Sequence, residues 1–208
     1  KENGERIPGI REVLVDVLQT PAEYEVAIET ALGEKLQSVI VNSYSDSMEA
    51  IGYLKNNHSG RGLFVPLNPK TVPTEPLYLN GTQGVVGKAL NFIECQEEYR
   101  PVIDLLLKSV VIVQDMDVAL HLHQDSKFHG TAVTLNGEMI DPNGFITGGS
   151  VENASSSLLA RNREIETLTD NVGRLKEELN VSQENIEKKK QGLSELEARL
   201  RQLDQQTV

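Results

Sequence analysis

Apolar residues recur along this chain with two different habits. From residue 165 to residue 203 they return at spacings of three and four, at Ile165, Leu168, Val172, Leu175, Leu179, Ile186, Leu193, Leu196, Leu200 and Leu203; only Ser182 and Lys189 interrupt the stripe. That spacing is a coiled-coil seam. Six heptads of helix extend roughly 60 Å at about 1.5 Å per residue, too far for the stripe to fold back as a core helix of the region before it. Leaving these side chains wet would forfeit roughly 15 to 30 kcal/mol as an upper bound, so the seam calls for a partner helix that this sequence does not contain. The chain therefore reads as a fragment of something longer, and its opening on Lys1 rather than on Met points the same way.

The first 150 residues alternate short apolar runs with helical stripes. Residues 21–32 read as a helix with Thr20 as N-cap, Pro21 in the first position and Gly33 past the end. SVIV at 38–41 is a short buried strand, 45–56 a helix after an acidic turn, and 62–65 a strand closed by Pro66. Residues 68–83 carry three prolines and read as an irregular connection. The same order then returns. Tyr24, Ile28 and Leu32 recur as Tyr99, Ile103 and Leu107; SVIV recurs as SVVIV at 109–113; Asp46, Ala50 and Ile51 are echoed by Asp115, Ala119 and Leu120; GRGLFVPLN at 60–68 is answered by GTAVTLN at 130–136. A chance match of short apolar words is the alternative, and the preserved order of the elements favours a true repeat over it. Two similar lobes packed as one domain are expected, each a small sheet with helices and too small to bury its apolar face alone. The fold class is α/β (α+β), with a stub at 1–8, a body at 9–150 divided into lobe one (9–68), a connector (69–83) and lobe two (84–150), and a coiled-coil arm at 151–208.

Charge narrows the function classes. Residues 1–150 hold 11 Lys+Arg against 20 Asp+Glu, and residues 151–208 hold 9 against 11, which together give the net charge of −11. An acidic body repels phosphate backbones, so nucleic-acid contact would need a local basic cluster. Lys188, Lys189 and Lys190 form the one run of three basic residues; a solvated coil face is its default reading, with Lys189 falling on the seam. No run of 18 apolar residues and no signal-peptide pattern is present, and Cys95 stands alone, so a cytoplasmic chain with a packed thiol is expected.

Candidate chemistry is thin. Gly81, Gly84, Gly87 and Lys88 suggest a nucleotide loop, but a Walker spacing would need glycine where Thr82 stands and Ser or Thr where Ala89 stands. His121, His123, His129 and Asp125 suggest a metal set, yet residues two apart on a helix do not share a face. No nucleophile elbow is present, and the carboxylates fall mostly on solvated helix faces, so neither a catalytic centre nor a cofactor or metal site is assigned.

Four signatures in order, AIETALG (27–33), GRGLFVPL (60–67), GVVGKA (84–89) and GFITGGS (144–150), followed directly by a coiled coil, resemble the hinge of structural maintenance of chromosomes (SMC) proteins. The absence of large insertions is similar to prokaryotic members. The resemblance implies a non-catalytic homodimerisation hinge in a chromosome condensation and segregation machine, associated with the nucleoid. In it, lobe one of each protomer meets lobe two of the other through sheet edges and glycine-rich surfaces. The ATP-binding heads would lie at the far ends of the arms, and an incoming arm before Lys1 would partner the seam. By motif the dimer interface is assigned to Gly144, Thr147, Gly148 and Gly149, with Gly84 and Gly87. Many bacterial relatives carry basic residues after TGG, linked with DNA contact, where this chain has Val151, Glu152 and Asn153. DNA contact, the alternative role, is then expected on the arm, at Arg161, Arg163, Lys188, Lys189 and Lys190.

Overall fold

The computed structural model describes residues 9–70, 77–79, 81–149 and 157–206, with side chains described as far as residue 199. The chain divides into two compact units, Lys1–Arg163 and Glu164–Val208.

Within the first unit the repeat is visible as topology. Lobe one runs β1 (Ile10–Val13), α1 (Leu14–Val17), α2 (Glu25–Leu32), β2 (Val39–Val41), α3 (Tyr44–Asn56) and β3 (Phe64–Pro66). Lobe two runs β4 (Val85–Lys88), α4 (Arg100–Leu107), β5 (Val110–Val113), α5 (Met116–Gln124), β6 (Thr131–Thr134), β7 (Met139–Ile140) and β8 (Ile146–Thr147). In each lobe the first strand pairs antiparallel with the central strand, which pairs parallel with the third across a helical crossover. The sheet orders are β1-β2-β3 and β4-β5-β6-β7-β8, so lobe two is lobe one extended by two antiparallel strands.

Continuous apolar runs form the central strands because both faces are covered. On β5, Val110 and Ile112 enter one core cluster while Val111 and Val113 enter another beneath α5, with Ala119, Leu122, Phe128, Ala132 and Ile140. The larger cluster is shared between the lobes: Leu14, Ile28, Leu32 and Ile40 pack with Val102, Ile103, Leu107 and Val133. Tyr24 and Tyr99 precede α2 and α4 at equivalent places, and the Tyr24 ring stacks on Phe92 of lobe two at 4.1 Å. Reciprocal backbone hydrogen bonds between Gln19 and Glu94 (3.0 and 2.9 Å) tie the lobes again.

The structure departs from the sequence reading at the starts of two helices. The first helix begins at Glu25, not at Pro21: Thr20 donates its hydroxyl to the Phe92 carbonyl at 2.7 Å, and a turn in which the Tyr24 amide reaches the Pro21 carbonyl at 2.9 Å precedes the helix. A local N-cap residue was drawn into an inter-lobe contact instead. The third helix starts one residue earlier than read, on Ser43 as N-cap. That shifts the internal match. Ser43 and Asp115 are the equivalent caps, each two residues past the central strand, so Asp46 corresponds to Val118 rather than to Asp115. Of the connector, 71–76 and Asn80 lie outside the described residues; Leu77 and Leu79 pack against the cluster beneath α5.

Candidate dimerisation surface

A sheet edge offers unpaired backbone groups, and proteins normally blunt such edges with charge, proline or cover. Among the described residues, the edge at β8 has none of these. Phe145 and Ile146 are 72% and 64% exposed, and Gly144, Thr147, Gly148 and Gly149 are exposed with them. The register Met139↔Thr147 and Ile140↔Ile146 commits one side of β8 to β7; β8 is the last strand of its sheet.

The turn before β8 is firmly built. Asp141 accepts hydrogen bonds at its carboxylate from the amides of Asn143 (2.8 Å) and Phe145 (2.9 Å), and its carbonyl accepts from the Gly144 amide (3.0 Å). The Phe145 amide is the main cause holding the Asp141 carboxyl below the ordinary carboxylate range, with slight burial opposing it. Gly144 adopts φ +84°, and a Cβ there would stand 3.3 Å from His123 Nε2, so this corner suits glycine twice over. A Cβ at Gly148 would make only ordinary contacts with Glu138, and at Gly149 (φ +144°) would meet nothing within 4 Å, so no packing among the described residues demands those two glycines. Ser150 lies outside the described residues.

Gly84 and Gly87 sit differently. Gly84 (φ +91°) accepts the Gln114 amide at 2.9 Å, and a Cβ on it would stand 2.5 Å from Val118. Lobe one repeats this device: Gly9 (φ +86°) accepts the Asn42 amide at 2.9 Å, and Asp46 occupies the space a Cβ would need. Gly87 lies at a register shift in β4 under the Phe92 ring. Both glycines thus have a reason inside the lobe. Gly84→Ala is expected to lower stability by about 1–3 kcal/mol through strain and overpacking, seen as a lower urea midpoint with unchanged m-value.

The face of lobe one that could receive β8 was not singled out from sequence. In lobe two α5 packs on β6 and β7, but in lobe one the sheet ends at β3. α3 buries only Ala50 fully and leaves Tyr44, Met48 and Tyr53 exposed, with Leu63 exposed just before β3. The readable signal was the lack of anything after GRGLFVPLN to match EMI and FIT.

The family model described as the SMC proteins flexible hinge domain matches residues 7–123, more than half of the chain. This chain belongs to the SMC hinge family. The hinge is 39% identical over 178 residues to the chromosome partition protein Smc of Myxococcus xanthus, covering 84% of this chain and 15% of that protein. It is 32% identical over 188 residues to the Bacillus subtilis protein of the same name, covering 88% and 16%. The chain thus spans about one sixth of the length of these relatives. Among solved structures it is similar to an asymmetric dimer of the Geobacillus stearothermophilus SMC hinge domain (34% identity, TM-score 0.71, covering 82% of this chain and 70% of that one). It is also similar to a Pyrococcus furiosus Smc hinge domain with an extended coiled coil (29% identity, TM-score 0.57, 84% and 63%).

The hinge's remaining candidates are placed as follows. α6 (Leu158–Gln206) is one continuous helix, and the seam residues Ile165, Leu168, Val172, Leu175, Leu179, Ile186, Leu193 and Leu196 are 49–65% exposed; the side chains of Leu200 and Leu203 lie outside the described residues. Arg161 and Lys188 to Lys190 are exposed, with Lys190 3.9 Å from Glu187. Arg163 is bound to Glu25 at 2.7 Å. His121 and Asp125 line a shallow hollow with Thr82 and Gln83, His123 stands beside Gly144, and no group of three potential ligands is placed to hold a metal among the described residues. Burial is the main cause raising the Cys95 thiol above its ordinary value, as suits a packed thiol. No helix among the described residues is long and apolar enough to cross a membrane.

Proposed function

We propose that this hinge is the homodimerisation element of a longer, nucleoid-associated chromosome-partition SMC protein, joining two protomers at the ends of their coiled-coil arms. The observation that carries the reading is the β8 edge with Phe145 and Ile146 exposed, together with the open edge at β3 of lobe one, both uncovered among the described residues. Where lobe two places β7 beside β6, lobe one leaves the outer edge of β3 without a neighbouring strand among the described residues, so β8 of a second copy can extend that sheet by main-chain hydrogen bonds. The same exchange made reciprocally closes a two-fold ring with two identical contacts, as isologous assembly requires. Glycine at 144, 148 and 149, with Thr147 between them, lets two backbones approach at that seam. The exposed stripe on α6 is read as the surface for an incoming arm, and ATP hydrolysis is assigned to other parts of the longer protein.

The test separates hinge association from arm association. A chain ending at Arg163 keeps the first turn of α6, whose Leu159 is buried in the shared core, and removes the seam. Sedimentation equilibrium of that chain is expected to give a dimer mass; a monomer at tens of micromolar would show that association resides in the arm. The nucleic-acid reading is weaker, because the body is acidic and Arg163 is already engaged by Glu25.

A further inference from the structure

The first two turns of α6 are held to lobe one by a set of polar contacts within the single chain. The Leu158 amide, one of the orphan donors of the helix start, donates to Glu29 Oε1 at 3.0 Å, and the Ala160 amide donates to Ser157 Oγ at 3.2 Å. One turn on, Asn162 Nδ2 donates to the Val15 carbonyl at 3.0 Å and to Asp16 Oδ1 at 3.1 Å. Arg163 then grips Glu25 with two nitrogens, Nε to Oε1 at 2.7 Å and Nη2 to Oε2 at 3.3 Å. Glu25 is only 5% exposed, although it sits in the first turn of a helix whose other buried residues are Ala27, Ile28 and Leu32. A buried carboxylate is expensive unless it is paired with good geometry, and Arg163 supplies a two-pronged partner.

The internal repeat shows that α2 departs from its own template here. Counting from Tyr24 and Tyr99, the positions of Glu25 and Glu29 are filled in α4 by Arg100 and Asp104, which pair with each other at 3.0 Å on the half-exposed surface of their own helix. The apolar positions Ile28 and Ile103, and Leu32 and Leu107, are kept alike in both copies. The polar positions have diverged from those of α4, and in lobe one they are a pair of carboxylates aimed at the root of α6. Glu29 belongs to the AIETALG run, so one polar residue of that signature has a role that sheet formation and core packing do not explain.

We infer that Glu25 and Glu29 of α2 are positioning residues that lock the root of the arm, Leu158–Arg163, onto lobe one, so that the hinge holds the arm's first turns through a polar clamp rather than through apolar packing alone. The consequence is a local stability that can be removed without unfolding the body. Arg163 is then a clamp residue and not a phosphate contact.

Hydrogen exchange on the full 208-residue chain tests this. Arg163→Ala and Glu29→Ala are each expected to speed exchange of the amides of residues 160–163 about tenfold or more while leaving those of β5 unchanged. Because Arg163→Ala strands a buried carboxylate, Glu25→Gln is measured alone and combined with it. Glu25→Gln alone is expected to give a smaller acceleration, and the double variant to exchange no faster than Arg163→Ala, since the two residues act as one contact. Unchanged protection at 160–163, strictly additive effects of the two substitutions, or an equal acceleration in β5 would each overturn the clamp.

Discussion

Ile146→Asp is expected to turn the proposed hinge dimer into a folded monomer. In the proposed assembly Ile146 and Phe145 leave water against lobe one of the partner, and burying each such side chain contributes about 1.5–3 kcal/mol. The substitution removes one of these contributions and obliges a carboxylate with no partner to be buried in its place, twice per ring because the interface is reciprocal. A weakening of the dissociation constant by at least about 10³-fold, or about 4 kcal/mol, follows. Ile146 is 64% exposed on the terminal strand and contributes to neither core cluster, so the fold of the single chain should be unaffected. Sedimentation velocity should show the monomer, and circular dichroism and the urea midpoint of that monomer should show an intact body. A variant that stays dimeric at low micromolar concentration would place the interface elsewhere and remove the main support for the β8 reading.

Ile103→Ala should have the largest effect on stability. Ile103 is fully buried in the cluster that contains α2, α4, β2, β5 and the first turn of α6, so the cavity opens at the junction of the two lobes. Truncations of this kind cost about 2–5 kcal/mol, and at roughly 2–4 °C per kcal/mol for a body of this size the melting midpoint should fall by roughly 4–20 °C. The transition is expected to remain single by calorimetry and by fluorescence of a probe placed in either lobe, because neither lobe has a core of its own on that side. Two separated transitions would mean that the lobes are independent folding units.

These two residues illustrate how differently the fold and the interface could be read. Ile103 is recognisable from its spacing with Tyr99 and Leu107 and from the matching set in α2, since helical periodicity reports burial from a few neighbours. Ile146 stands in a short run whose apolar character reads equally well as core; only the sheet order makes it the last strand, with no further strand beside it among the described residues. The apolar stripe of α6 was legible for the same local reason as Ile103. The exact start of the first helix was not, because Thr20 has two possible partners, a nearby amide and the distant Phe92 carbonyl, and the inter-lobe contact won.

Gly84 shows a subtler limit. Its glycine was noticeable, but its cause lies in Val118 and in the bond from Gln114, residues that chain order places far away and that the parallel crossover returns to the start of the first strand. The match with Gly9 became visible only after the caps Ser43 and Asp115 had fixed the alignment of the two lobes. Sequence alone determined the alternation of strand and helix, the internal repeat, and the long helix with its apolar stripe, because each rests on periodicity or on residues a turn apart. Tertiary structure decided which sheet edge lies open, which glycines serve the lobe, and that Glu25 and Glu29 meet the start of α6 more than a hundred positions later. Those facts depend on how two copies of one motif pack across a shared core, and no local pattern encodes the distance between residues that the chain separates so widely.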